Sequence, residues 1–177
     1  MKAYSALLSV TCALLFAAPA AVAQRTDIQP AAARKAAPDF TLQDSTGTSI
    51  RLSDFKGRVV LLDFWTTWCQ PCKIEIPWYR EFVKEHEGGL VVIGVSLDDD
   101  GWKSVRPFIK KYKVDYPIVM GADSMAKQFI NTEFLPTTLL IDRTGKIAVN
   151  NIGIIDKEVF EKEIRTLLDE TMSTNGN

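Results

Sequence analysis

The first clear pattern of apolar and polar positions along the chain is an alternation that begins near residue 40. Phe40, Leu42, Ile50 and Leu52 are each flanked by polar residues. Such alternation places the apolar side chains on one face of a strand. The two alternating stretches are separated by the turn-forming residues at 44–47. The sequence therefore predicts a β-hairpin in this region.

Continuous apolar runs follow, separated by a segment with helical periodicity. The runs at 59–62 and 90–97 indicate strands that are covered on both faces of a sheet. Between them, apolar residues of 69–87 recur at steps of three and four, which predicts a helix, and Gly88 follows its end. This order of elements, strand then helix then strand, predicts a parallel crossover connection.

The rest of the chain contains shorter elements of both kinds. Helices are predicted over 102–113, 124–130 and 156–171, and strands over 116–120, 137–142 and 146–150. The last two strands are joined by a turn at 143–145, so they form a second hairpin and pair antiparallel. The pattern thus predicts an α/β fold, with a mixed sheet, helices on both faces, an N-terminal β-hairpin and a central αβ insertion.

The first 23 residues have a composition of their own. Lys2 gives a positive start, residues 6–18 are mostly apolar, and the segment ends in Ala-Val-Ala at 21–23. This is the pattern of a cleavable secretory signal, with cleavage expected before Gln24. The alternative is an uncleaved anchor, but the apolar run is shorter than the roughly 18 to 20 residues that span a bilayer.

The chain is accordingly divided into four parts. The signal peptide covers 1–23, and an Ala-rich segment without a sustained apolar face, 24–37, is predicted to be a flexible leader. One folded domain is expected over 38–172, followed by a disordered polar tail at 173–177. The chain of 177 residues has a net charge of −1, so no basic field indicates a nucleic-acid partner.

The chemistry points to two cysteines that lie three positions apart. Cys12 falls inside the signal, so the mature chain would retain Cys69 and Cys72 in a compartment that permits disulfides. Cys69 is predicted where a buried strand ends and a helix begins, and the positive end of a helix stabilises a thiolate. Cys69 is therefore the predicted nucleophile, and Cys72, one turn later, would resolve the mixed disulfide.

A metal site is the other common use of this cysteine spacing. Structural zinc needs four ligands, whereas the mature chain offers Cys69, Cys72 and a single histidine, His86, near the far end of the same predicted helix. We therefore expect no metal and no cofactor. His86 is expected to interact with solvent or with the helix dipole.

The segment Asp-Phe-Trp-Thr-Thr-Trp-Cys-Gln-Pro-Cys-Lys at 63–73 resembles the active-site signature of the thioredoxin superfamily. Three further segments, 38–40, 73–77 and 135–142, resemble its exported TlpA/ResA-like branch. The resemblance extends from about Pro38 to the last helix. It implies a thioredoxin-like fold, thiol–disulfide oxidoreductase activity through a redox-active Cys69–Cys72 disulfide, and a periplasmic or cell-surface location. If the signal is not cleaved, the protein would be tethered to the membrane.

The resemblance also implies roles for residues around the disulfide. Pro136 would be cis and lie next to the disulfide, and the backbone of Leu135 would bind an extended substrate; an ordinary trans proline is the alternative. Residues expected to contact the substrate as well are Trp68, Gln70 and Pro71. The expected partners are a protein disulfide or dithiol and a membrane electron donor, and the protein itself is expected to be a monomer.

Two carboxylates are candidates for proton transfer. Asp63 interrupts an apolar strand, where burial would raise its pKa and let it accept the Cys72 proton. Thioredoxins have an acid here, many TlpA/ResA-like proteins have Asn, and the alternative is an acid that reaches water at a strand end. Glu75 lies three residues after Cys72, either near the sulfur atoms or as a solvated helix residue.

Two other functions use similar motifs. A peroxiredoxin-like peroxidase shares the Pro-Asp-Phe opening and a Thr-x-x-Cys at 66–69, but that family has Pro where this chain has Leu62. A copper-delivery protein of similar fold would use a longer cysteine spacing and a histidine after His86, which this chain lacks. Thiol–disulfide exchange is therefore the favoured function. The uncharged pair Gln70-Pro71 between the cysteines favours the reduction of exported protein disulfides.

Overall fold

The structure, a computed structural model, describes residues 27–170. Its strands are β1 Lys35–Ala36, β2 Thr41–Gln43, β3 Ser49–Arg51, β4 Val59–Trp65, β5 Leu90–Ser96, β6 Ile118–Met120, β7 Thr137–Ile141 and β8 Lys146–Ile152. Its α-helices are α1 Gln70–Glu85, α2 Trp102–Tyr112, α3 Asp123–Phe129 and α4 Lys157–Asp169. Within 27–170, no helix is long and apolar enough to cross a membrane. The predicted signal peptide, its cleavage site and Cys12 lie outside the described residues, as do residues 173–177.

Six strands form one mixed sheet in the order β1-β8-β7-β4-β5-β6. The strands β4, β5 and β6 run parallel, joined by crossovers through α1 and α2, whereas β7, β8 and β1 add antiparallel pairs on the other side of β4. A separate two-stranded sheet, β2-β3, is the predicted N-terminal hairpin. The mixed α/β fold expected from the sequence is confirmed.

Alternate residues of β4 pack into two different cores, one on each face of the sheet. Val59 and Leu61 lie in the core that also contains apolar residues of α1, α2 and α4. Val60 and Leu62 lie in the core that contains residues of α3 and the hairpin. Because side chains alternate along a strand, Asp63 belongs to the same face as Leu61, beneath α1. The burial of β4 on both faces explains its continuous apolar run.

The segment 27–37 is ordered, and this corrects the expectation of a flexible leader. The strand β1 pairs with the beginning of β8, and the N–H of Gln29 donates to the carbonyl of Ala148. The guanidinium of Arg34 is buried and forms two hydrogen bonds of 2.6 Å with Glu170, at the end of α4, and one of 3.0 Å with Asp142. These contacts bind the segment to β8, to the turn after β7 and to the end of α4.

Candidate active site

The two cysteines lie where β4 gives way to α1. The Cys69 sulfur accepts a hydrogen bond of 3.2 Å from the N–H of Cys72, so Cys69 caps the N-terminus of the helix, and the two are joined as a disulfide. Gln70 and Pro71 between them form the first turn, with Gln70 exposed and Pro71 half-buried. Cys69 is 5% exposed and Cys72 is 2% exposed, so Cys69 is only slightly more accessible.

The loop before Cys69 is held by a buried carboxylate. Asp98 accepts hydrogen bonds from the Thr67 hydroxyl at 2.6 Å and from the Thr67 N–H at 3.0 Å. It also accepts one from the Ser96 hydroxyl at the end of β5. Asp98 thus positions the loop that leads to the nucleophile.

The peptide bond between Leu135 and Pro136 is cis, as predicted. It precedes β7, whose first residue, Thr137, lies opposite Phe64 of β4, so the proline is at the same end of the sheet as the cysteines. Pro136 is buried, and its carbonyl accepts a hydrogen bond of 2.7 Å from Gly153. Leu135 is half-buried and lines a cavity of about 260 Å³ together with Trp68.

Asp63 is buried in the sheet beneath α1, with 3% of its surface exposed. Burial raises its pKa to about 7, while a hydrogen bond of 3.3 Å from the Thr138 hydroxyl acts in the opposite sense. The Thr138 hydroxyl is in turn 3.2 Å from that of Tyr79 on α1. The alternative in which Asp63 reaches water at the strand end is therefore wrong.

Glu75 is also buried, with 0% of its surface exposed, and is not the solvated helix residue considered as an alternative. Burial and the nearby charge of Asp63 raise its pKa to about 8, and the Tyr79 hydroxyl opposes this. Neither carboxylate oxygen of Glu75 forms a hydrogen bond with a described residue, so the Tyr79 hydroxyl lowers the pKa of Glu75 only as a nearby polar group. Two carboxyl groups that hold protons near neutral pH therefore share the space beneath α1.

The large apolar side chains that remain exposed between residues 27 and 170 belong to segments at the same end of the sheet as the disulfide. Trp68 is 70% exposed and Phe134, next to the cis peptide bond, is 73% exposed. The others are Ile74 of α1, Ile152 at the end of β8 and Ile154 just beyond it. We call these five residues the apolar rim. An exposed apolar patch of this kind marks a surface that binds another protein.

Comparison with known proteins identifies the family. The AhpC/TSA family matches residues 33–150. The chain belongs to the AhpC/TSA family. It is 34% identical over 132 residues to the thiol-disulfide oxidoreductase ResA of Geobacillus kaustophilus, covering 74% of this chain and 75% of that protein.

Solved structures support the same family assignment. A candidate thiol:disulfide interchange protein DsbE from Chlorobium tepidum has a TM-score of 0.71 and 31% identity, covering 81% of this chain and 99% of that one. The pneumococcal exposed lipoprotein thioredoxin Etrx1, from Streptococcus pneumoniae, has a TM-score of 0.65 and 27% identity, covering 73% of this chain and 100% of that one. The protein is thus a thiol–disulfide oxidoreductase with a thioredoxin fold.

Two residues of the candidate active site, Thr138 and Tyr79, were not predicted from the sequence. A signal for each was present in the chain. Tyr79 lies four residues after Glu75 and so on the same helix face, and Thr138 is a polar residue in an apolar strand. His86, in contrast, caps the far end of α1, away from the cysteines. No cluster of metal-ligating side chains occurs in the described part of the chain.

Proposed function

We propose that this protein is an exported reductant that transfers two electrons from Cys69 and Cys72 to a disulfide of another exported protein. The Cys69 thiolate attacks one sulfur of the substrate disulfide, forms a mixed disulfide and releases the other sulfur as a thiolate. The Cys72 thiolate then attacks the Cys69 sulfur and releases the second substrate thiol. The products are the reduced substrate and the Cys69–Cys72 disulfide, which balances the two electrons.

The observation that carries the reductive direction is the pair of buried carboxyl groups at Asp63 and Glu75. Neither forms an ion pair with any described residue, and both are at least 97% buried. Ionised carboxylates in this space disfavour a thiolate, because like charges repel strongly where water is excluded. They therefore favour the disulfide over the dithiol, and a protein whose disulfide is favoured gives its electrons away. Gln70 and Pro71 add no positive charge between the sulfur atoms.

The same carboxyl groups supply a route for protons. Cys72 is 2% exposed, so its thiol cannot readily lose a proton to water. We propose that Asp63, whose pKa is raised to about 7, accepts this proton before Cys72 attacks. Glu75, one turn after Cys72, would exchange protons with the same group.

The substrate is proposed to bind as an extended segment across the apolar rim. The backbone of Leu135 would pair with this segment, as the resemblance implies, and Pro136 would hold it against Cys69. Trp68, Gln70 and Pro71 would contact the residues on either side of the substrate cysteine. A flat, exposed site of this kind suits a protein chain better than a small molecule.

Export to the periplasm or the cell surface is part of the proposal. The sequence predicts a signal at 1–23, and one structural neighbour is described as an exposed lipoprotein. A reductant outside the cytoplasm must be recharged, so an electron donor in the membrane is required. The protein itself is proposed to act as a monomer.

Equilibration of the protein with glutathione tests the direction. The fraction of oxidised protein, measured by alkylation and mass spectrometry, gives the reduction potential. We expect a value closer to about −270 mV, the potential of thioredoxin, than to about −120 mV, that of the strong oxidants. The Glu75→Gln variant should be less reducing above about pH 8, where Glu75 is ionised in the unaltered protein, because the variant lacks that negative charge. A potential above about −180 mV would overturn the reductant proposal.

A further inference from the structure

A groove with a basic rim lies beside the start of α1 and continues along α2. Thr67, just before the cysteines, and Lys73, which directly follows Cys72, form its upper end. Lys103 and Lys111 of α2 form its outer edge, and the groove has a volume of about 400 Å³. We call it the basic groove. It lies beside the active site and does not belong to the disulfide chemistry itself.

The positive charge of the basic groove is not neutralised within the described part of the protein. No carboxylate lines the groove, and none of its three lysines forms an ion pair with a described residue. Three carboxylates of neighbouring elements have other partners, and Asp99, just ahead of α2, does not line the groove. Asp98 binds Thr67, Asp100 binds the hydroxyl of Ser104, and Asp115 binds Arg80. A concentration of positive charge therefore stands next to the disulfide of a chain whose net charge is −1.

The floor of the groove is aromatic. The rings of Phe108 and Tyr112 are stacked, with centroids 4.3 Å apart, and the Lys111 ammonium lies 5.4 Å from the centre of the Tyr112 ring. An apolar floor with a cationic edge suits a polypeptide that presents apolar and acidic side chains together. A small inorganic anion would make no use of the aromatic floor.

The spacing of the lysines limits the shape of such a polypeptide. Lys103 and Lys111 are eight residues apart on α2, which corresponds to about 12 Å along the helix axis. An extended chain advances about 3.3 Å per residue, so it covers this distance in three to four residues. Two carboxylates at that separation would meet both lysines at once.

We propose that the basic groove binds an acidic segment of the disulfide-bearing protein substrate, with acidic residues three to four positions apart next to the substrate cysteine. This inference deepens the proposed function, on which it rests. The groove would attract the acidic segment electrostatically and so place the substrate disulfide against Cys69 more often. The exchange steps are unchanged, and only the rate of productive encounter increases.

Synthetic peptides test the charge preference. Each peptide has one cysteine joined as a mixed disulfide to uncharged 2-mercaptoethanol, and two variable positions four residues apart on one side of the cysteine. Glu peptides and Gln peptides, with the pair on either the N-terminal or the C-terminal side, are mixed with the reduced protein. We expect the Glu peptide with its pair on one of the two sides of the cysteine to react about tenfold faster at low salt than the matching Gln peptide. High salt should remove the difference.

Two double variants test whether the lysines of α2 cause the preference for Glu peptides. Lys103→Gln with Lys111→Gln should abolish the preference for Glu peptides while leaving the rate with Gln peptides within about twofold. Lys35→Gln with Lys146→Gln makes the same change in net charge on exposed residues of β1 and β8, and should preserve the preference. Equal rates for Glu and Gln peptides on both sides, or an equal loss of preference in the two variants, would overturn the proposal.

The charge preference can be measured independently of the reduction potential that tests the proposed function. Initial exchange rates depend on the encounter with Cys69 and not on whether the protein is oxidising or reducing at equilibrium. An oxidising potential would therefore sink the reductant proposal while leaving a measured preference for acidic peptides intact. A reducing potential without a charge preference would do the reverse.

Discussion

At the scale of single residues, the unusual feature is that two acids share a buried space beneath the disulfide. Asp63 projects from β4, and Glu75 projects from α1 one turn after Cys72. The charge of Asp63 contributes to the raised pKa of Glu75, so the two groups titrate as a coupled pair. A pair of this kind gives up its first proton near neutral pH and resists losing the second. Its protonation state therefore changes in the pH range in which the cysteines react.

Replacement of Asp63 by Asn should separate the two steps of the reaction. Asn cannot accept the Cys72 proton, so resolution of the mixed disulfide should slow by about 100-fold, the lower end of the range for general-base catalysis. The initial attack by Cys69 should change little. Rapid quenching followed by mass spectrometry would measure both steps.

A matched control for this variant is Glu163→Gln, which replaces another buried carboxylate. Glu163 is hydrogen-bonded to Asn151 and to the backbone of Asp27. Both steps should be unaffected in the control. If resolution is as fast in Asp63→Asn as in the unaltered protein, Asp63 has no role in proton transfer.

The same acids should make stability depend on pH. Their pKa values in the folded protein, about 7 and about 8, lie above the ordinary values of 3.8 and 4.5, so folding takes up protons at pH values between the two. The free energy of unfolding of the oxidised protein should therefore fall as pH rises from about 4 to about 8. Asp63→Asn should be more stable than the unaltered protein at pH 8 by about 1 to 4 kcal/mol, since one pKa unit corresponds to about 1.4 kcal/mol.

Urea unfolding at several pH values would check this prediction. Below about pH 4 the two proteins should differ least, because the carboxyl is then protonated in both the folded and the unfolded state. A stability difference that does not vary with pH would show that Asp63 does not carry a raised pKa in the folded protein.

At the scale of elements, the short strand β1 and the residues before it are bound to the domain mainly through Arg34. Its guanidinium pairs with Asp142, in the turn between β7 and β8, and with Glu170, which follows α4. The side chains of Arg34 and Asp142 are almost fully buried, whereas that of Glu170 is 37% exposed. A buried charge that loses its partner is costly, because neither water nor an opposite charge then compensates it.

Arg34→Met should therefore destabilise the oxidised protein by about 2 to 4 kcal/mol, with the partial exposure of Glu170 reducing the effect. Arg51→Met, which changes an exposed arginine in β3, should cost no more than about 0.5 kcal/mol. Urea unfolding of both variants would measure this, and the reduction potential should not change in either. A loss below about 1 kcal/mol for Arg34→Met would mean that the segment contributes little to stability.

The elements that the sequence predicts well are those whose pattern follows from burial. The runs that became β4 and β5 are covered on both faces, and the periodicity of α1 follows its buried side. The segment 27–37 escaped prediction because a pairing between residues 108 positions apart, Arg34 and Asp142, leaves no local pattern. The basic groove escaped for a similar reason, since Lys73 and Lys111 are brought together only by the packing of α1 and α2.

At the scale of the whole molecule, the predicted signal peptide lies close in sequence to a segment that packs on the domain. The first described residue is Asp27, whose N–H donates to Glu163, and the expected cleavage site is just before Gln24. Cleavage there would leave only three residues ahead of the packed segment.

Mass spectrometry of natively exported protein should therefore find Gln24 as its first residue. Substitution of Ala23 by a bulky residue such as Phe should block cleavage, because the site requires a small residue, and should retain the protein on the membrane. A substitution of Ala32, outside the signal, is a suitable control and should not affect processing. Recovery of an intact Met1 on membrane-bound unaltered protein would contradict cleavage.

The apolar rim lies at one end of the sheet, so the attachment site determines whether the rim stays accessible when the protein is immobilised. Lys146 begins β8 and Ile152 ends it, so the two residues are about 20 Å apart along the strand. A fluorophore or a solid support attached through Lys146 would therefore leave the reactive end facing outward. An immobilised sample prepared in this way should capture mixed disulfides as readily as the free protein.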